Sequence, residues 1–224
     1  MKQKIFLLPG FGEDAFCFND LKSHLSDFNI VDVDYRKTLN KFNFPFITVK
    51  NFAKQLIKDY NIHSEDKLIG HSMGGYFSFQ IREIQQNEIC MIASFNDPNK
   101  VIHMIPEFTR FTQIASITGL VKMPFVKQYL LSKIKDEKIK NIQSHIMDNF
   151  SNFSNLQLAL MIEMNYAPKI HSTLPNPLRI HDKKDKIVAA PDEHYIQIGG
   201  GHFCLNIEPE KVIDVMQNFL HQNS

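Results

Sequence analysis

The segment Asp66-Lys67-Leu68-Ile69-Gly70-His71-Ser72-Met73-Gly74-Gly75 constrains this chain more than any other. A short apolar run enters a turn in which glycines stand two residues before and two residues after a serine, and helix-compatible residues follow. A chain can pass that abruptly from strand to helix only where the flanking side chains are small, because the two backbones nearly touch. Gly70 and Gly74 meet the demand. The Ser72 hydroxyl is then pushed out beyond the strand end, and the N–H of Met73, at the helix start, points where a tetrahedral oxyanion would form. A merely structural turn is the rival reading. The place of the motif, at a strand-to-helix junction in a β/α-alternating sequence, favours Ser72 as a nucleophile.

The rest of the chain supplies that alternation. Apolar runs at Ile5 to Leu8, Ile30 to Val33, Lys67 to Ile69, Ile89 to Ser94, Leu178 to Ile180 and Tyr195 to Ile198 read as strands. Helical spacing predicts helices over Phe16 to Leu25, Thr48 to Tyr60, Gly75 to Gln86 and Pro209 to Leu220. Such a pattern implies an α/β fold, a mostly parallel sheet with helices on both faces. From Asp97 to Pro168 the strand signal disappears and three or four helix-compatible segments follow one another. This divides the chain into a core of residues 1–96 and 169–224 and a helical insertion of residues 97–168. A helical layer over the C-terminal edge of a sheet makes an apolar pocket, for which Phe11, Phe108, Phe111, Met123 and Phe125 are the candidate lining residues. For any one of them, packing of the insertion onto the sheet is the plainer reading.

An activated serine needs a base and an oxyanion site. The turn Pro9-Gly10-Phe11-Gly12 ends the first predicted strand and makes the Phe11 N–H a second oxyanion donor beside that of Met73. Among ten histidines, His202 follows a strand and the glycine run Gly199-Gly200-Gly201, which lets the backbone come close to the serine. The histidine in turn requires a carboxylate to fix its tautomer. Asp185 follows a strand and precedes His202, with Asp182 a near rival and Asp97 a topologically possible one.

Taken together, these segments resemble the α/β-hydrolase superfamily over nearly the whole chain outside the insertion. The resemblance implies an α/β-hydrolase fold with the 97–168 insertion as its variable helical cap, and Pro9-Gly10-Phe11-Gly12 and Gly70 to Gly75 as oxyanion hole and nucleophile elbow. It also implies Asp185 as the acid, from the stretch His181 to Val188, and Gly201-His202-Phe203 as the histidine loop. Small bacterial esterase-like proteins are the nearest kind. Two departures stand out. Asp182 occupies a position where the family commonly has glycine, and the connection from Val188 to Tyr195 is too short for the usual crossover helix.

The expected chemistry is hydrolysis of a carboxylic ester or thioester of a small apolar acyl or aromatic substrate, without cofactor or metal. A carbon–carbon bond hydrolase or lyase on the same residues, and a ligand receptor that keeps them with slow turnover, are the alternatives. A net charge of +1 gives no global field for nucleic acid or an anionic membrane, and the lysine-rich run Lys122 to Lys140 reads as a solvated helix face. Cys17, Cys90 and Cys204 have neither zinc-site nor disulfide spacing, and no apolar stretch is long enough to cross a bilayer. A cytoplasmic protein is expected, with a homo-oligomer possible where the short final crossover leaves the sheet edge uncovered.

Overall fold

The structure, a computed structural model, describes residues 2–102 and 108–221, the side chains of residues 108–110 and of Tyr166 lying outside that description. Six strands, β1 (Lys4–Leu8), β2 (Asn29–Asp32), β3 (Lys67–His71), β4 (Ile89–Ile92), β5 (Leu178–His181) and β6 (Ile196–Gln197), form one sheet in the order β2-β1-β3-β4-β5-β6. Every neighbouring pair is parallel. Each strand coincides with one of the predicted apolar runs.

The ten α-helices are α1 (Asn19–Lys22), α2 (Tyr35–Leu39), α3 (Val49–Tyr60), α4 (Met73–Gln85), α5 (Phe108–Ile117), α6 (Pro124–Ser132), α7 (Glu137–Asn149), α8 (Asn155–Glu163), α9 (Cys204–Ile207) and α10 (Pro209–His221), counted among the described residues. The helix expected over Phe16 to Leu25 is instead a 3-10 turn, Ala15–Phe18, running into the single turn of α1. Helix α2 has no counterpart in the predicted set, because five residues are too few to show a helical period. Its start is fixed by Asp34, whose carboxylate accepts from Arg36 N at 3.0 Å.

Strand alternation splits the core into two layers. Ile5 and Leu7 of β1 pack with Leu21, Leu25, Val212 and Met216 on the side of α1 and α10. Phe6 and Leu8 pack on the opposite side with Phe52, Leu56 and Phe77 of α3 and α4. Burying a side chain such as Phe52 contributes about 2–3 kcal/mol of apolar transfer free energy. Its ring meets that of Phe77 edge to face at 4.9 Å.

Between β4 and β5 lie four α-helices, α5 to α8, and no strand of the sheet among the described residues. Helix α8 starts with a capping box between Ser154 and Gln157, and its Leu158, Leu160 and Met161 join the core layer shared with α3 and α4. Residues 182–195, between β5 and β6, contain no helix, in line with the short connection noted in the sequence. The strand order reverses between β1 and β3, which stand side by side with Leu8 opposite Gly70. At such a switch point the loops leaving two adjacent strands diverge, and a crevice opens beyond their carboxyl ends.

Candidate active site

Ser72 sits in that crevice, between the last residue of β3 and the first of α4. Its backbone has φ 51° and ψ −123°, a conformation that costs a non-glycine residue about 1–3 kcal/mol and persists only when the surroundings over-determine it. They do so here. Ser72 N donates to the Ile92 carbonyl at 2.9 Å, and its own carbonyl accepts from Ser94 Oγ at 2.6 Å and from Gly75 N at 3.0 Å. A Cβ at Gly74 would overlap the Leu8 carbonyl oxygen, so glycine at that position is what lets α4 start this close to β1.

His202 arrives from a 3-10 turn, Gly201–Phe203, entered through Gly200 and Gly201 with φ of 100° and 63°. Its Nε2 lies 3.1 Å from Ser72 Oγ and its Nδ1 lies 2.8 Å from Asp185 Oδ2. The carboxylate can only accept, so Nδ1 carries the proton, leaving Nε2 free to accept from the serine hydroxyl. Asp185 Oδ1 accepts in addition from the amides of Ile187 at 2.7 Å and Val188 at 3.0 Å. Burial works to raise the pKa of Asp185, but the His202 N–H and its charge, with the two amides, outweigh it and hold the carboxyl below its ordinary range.

The rival carboxylates stand elsewhere. Asp182 braces the histidine loop from behind, accepting from Gly201 N at 2.8 Å, Gln197 Nε2 at 2.9 Å and Lys184 N at 2.9 Å. Asp97 caps the 3-10 turn Pro98–Lys100 through Asn99 N. Of the three, Asp185 is the one hydrogen-bonded to the His202 ring.

A cavity of about 300 Å³ opens over Ser72. Phe11 and Met73 border it, and the Met73 amide, first in α4, has no acceptor within its own helix. The candidate lining residues of the insertion fare differently. Phe111 (60% exposed), Met123 (45%) and Phe125 (58%) face solvent and do not border this cavity. The side chain of Phe108, at the start of α5, is outside the described part of the structure. The walls come instead from Phe95, Ile102 and Val188, with Thr112 of α5 and Ile162 of α8. An α-helix turns about 100° per residue, so Thr112 looks into the cavity while its neighbour Phe111 looks out. Apolar character alone cannot separate the two.

Beneath the site is a buried pair, His71 and Glu13, that local sequence does not mark as one. His71 and Glu13 are both buried, with His71 Nδ1 2.8 Å from Glu13 Oε2. The same Glu13 oxygen accepts from Gly10 N at 2.6 Å, tying the turn that carries Phe11 to the strand that carries Ser72. Glu13 gave no sequence signal beyond being an acidic residue beside an apolar strand end. Among the described residues no three His, Cys, Asp or Glu side chains gather as a metal site requires, and no helix is long and apolar enough to cross a membrane. In the insertion, Lys127 pairs with Asp148, Lys140 with Glu137, and Lys122 donates to the Phe153 carbonyl.

This sheet order, with a strained serine turn at the switch point and its histidine after the last strand, is that of the α/β-hydrolase fold, and solved structures bear it out. The chain is similar to a hydrolase from Oleispira antarctica, at TM-score 0.78 and 13% identity over 100% of this chain and 92% of that one. A thermophilic esterase from Thermogutta terrifontis matches at TM-score 0.72 and 17% identity, over 98% and 90% of the two chains. An enol-lactonase from Burkholderia xenovorans matches at TM-score 0.70 and 15% identity, over 96% and 92%. No family model and no curated protein sequence matches the chain.

Proposed function

We propose that this protein is a serine hydrolase that cleaves a carboxylic ester or thioester of a small apolar acyl or aromatic substrate through an acyl-enzyme on Ser72. One observation carries the reading: the unbroken chain from Ser72 Oγ to His202 Nε2 at 3.1 Å and from His202 Nδ1 to Asp185 at 2.8 Å, opening on a mostly apolar cavity. Similarity to proteins described as hydrolases and esterases agrees with it.

In this mechanism His202 Nε2 takes the Ser72 hydroxyl proton as Oγ bonds to the substrate carbonyl carbon. The carbonyl electron pair moves onto oxygen, and the amides of Phe11 and Met73 hold that charge; one such donor is worth about 3–4 kcal/mol of barrier. The tetrahedral intermediate then collapses, the leaving alcohol or thiol takes the proton from His202, and Ser72 keeps the acyl group. Water, deprotonated by the same histidine, releases the acid. Asp185 stabilises the imidazolium at each stage. Residues 97–168 serve as the cap that shapes the acyl pocket, and residues 1–96 and 169–224 as the catalytic core.

Labelling by a fluorophosphonate probe tests the nucleophile. Wild-type protein should label, Ser72→Ala should not, and turnover of p-nitrophenyl esters should fall about 10⁶-fold in that variant. Undiminished labelling of Ser72→Ala would overturn the assignment. Esters of graded chain length beside acyl-coenzyme A thioesters would identify the acyl group and the leaving group.

A further inference from the structure

On the α4 side of the sheet two arginines, Arg82 and Arg179, are buried close together. Arg179 of β5 lies opposite Met91 of β4, only 3% exposed, and its Nε and Nη1 are buried with no hydrogen-bond partner. Across from it Arg82 of α4 is 7% exposed, its Nη2 donating to the Pro175 carbonyl while Nη1 is buried without a hydrogen bond. The two guanidiniums stand over one aromatic ring, that of Phe79, at 5.5 Å and 6.0 Å from its centroid.

Carboxylate compensation is thin. Among the described residues no acidic side chain forms an ion pair with Arg179. Glu193 acts on it from longer range and is itself paired with Lys169 at 3.4 Å. Glu83 lies 3.8 Å from Arg82 Nη1, too far for a hydrogen bond. Burial lowers the pKa of both arginines, and Arg82 works further against Arg179. An arginine does not escape that cost by losing its proton, so its unmet donors call for an acceptor.

Between these groups is a cavity of about 160 Å³, bordered by Arg82, Arg179, Lys169, His171 and Asn96 and by one carboxylate, Glu193, which Lys169 engages at 3.4 Å, leaving the two guanidiniums as its least compensated charges. It shares no bordering residue with the cavity over Ser72, although Phe95 borders that one and Asn96 this one. We propose that this cavity is a second ligand site, which takes a small oxyanion, a phosphate or carboxylate group, held by Arg179 and Arg82 with Lys169 at its rim. Two or more oxygens on one centre match guanidinium donors in the way a single chloride cannot. The site lies outside the proposed hydrolytic machinery and would bind whether or not Ser72 is intact.

Calorimetric titration of the full chain with inorganic phosphate and, separately, with malonate tests this, at constant ionic strength balanced with chloride. Saturable binding of at least one anion is expected, weakened about tenfold or more in Arg179→Gln and several-fold in Lys169→Gln, and unchanged in Ser72→Ala. Should Arg179→Gln fail to fold, Lys169→Gln carries the comparison, since Lys169 is on a partly exposed loop. The stronger of the two anions identifies the chemistry of the ligand. Three results would each overturn the proposal: no saturable binding of either anion, binding that neither arginine nor lysine variant weakens, or binding lost in Ser72→Ala.

Discussion

His71 Nε2 donates to the backbone carbonyl of His202 at 2.9 Å, so the residue next to the serine supports the residue that would act on it. Its other ring nitrogen faces Glu13 at 2.8 Å. Burial works against a charged imidazole, yet the Glu13 carboxylate, by its charge and its hydrogen bond, and the His202 carbonyl raise the His71 pKa above 6.5. Glu13, for its part, is held below its ordinary 4.5 despite burial, chiefly by His71. The structure therefore buries an ion pair under the Ser72–His202 contact; without His71 the Glu13 carboxylate would be left uncompensated, whereas without Glu13 the buried imidazole sheds its proton.

Glu13→Gln should accordingly destabilise the fold by about 1–3 kcal/mol in denaturant unfolding, through the weakened hydrogen bonds to His71 and Gly10. The pH dependence has a definite sign. The contribution of Glu13, whose folded pKa is lowered, is present above its ordinary 4.5 and is lost as pH falls through the folded value. The contribution of His71, whose folded pKa is raised, is complete below 6.5 and is lost as pH rises through the folded value. The stability difference between wild type and a Glu13→Gln/His71→Asn double variant should thus be greatest between pH 4.5 and 6.5. A difference that declines neither as pH falls well below 4.5 nor as it rises well above 6.5 would count against the ion pair.

Asp185 and Asp182 make a sharper contrast. Asp185→Asn should lower kcat for an ester substrate by about 10⁴-fold, because an amide in that place favours the wrong imidazole tautomer. Asp182→Asn should cost less than about tenfold in kcat but about 1–3 kcal/mol in stability, through the loop hydrogen bonds it weakens. Steady-state kinetics and thermal melts on the same two variants separate the roles; equal losses of kcat would not fit the observed geometry.

Two glycines of the site should respond very differently to alanine. At Gly74 a Cβ would run into the Leu8 backbone, which cannot move without shifting β1. Gly74→Ala should leave little soluble folded protein. At Gly201, φ is 63° but a Cβ would meet nothing within 4 Å, so Gly201→Ala should cost only the left-handed backbone term, about 1–2 kcal/mol. Circular dichroism and denaturation midpoints of the purified variants check both.

The three cysteines are free and buried, and burial raises the pKa of each, that of Cys204 to about 12. Native protein should be inert to a thiol-exchange reagent at neutral pH and should release three equivalents on unfolding. Fast reaction of any thiol in the native state would contradict the burial.

The elements that local chemistry dictates were legible in the chain itself. Six apolar runs gave six strands, and the small residues around Ser72 gave the turn, because the apolar runs of strands buried on both faces and the steric room between backbones are written in neighbouring residues. The order of the strands, and hence the crevice between β1 and β3, depends on which runs pair across tens of residues. So does the choice among Asp185, Asp182 and Asp97: all three follow strands, and only the path of the chain brings one of them to the His202 ring. The pocket walls were the hardest to read. Phe111 and Thr112 are adjacent, and which one faces the cavity follows from how α5 is rotated against α8, a property of packing rather than of apolar character. Glu13 and Arg179 teach the same lesson for charge. Nothing local marks either as buried, since burial of an ionic group is decided by what the folded chain sets against it: an imidazole for Glu13, and for Arg179 an aromatic ring and a second arginine.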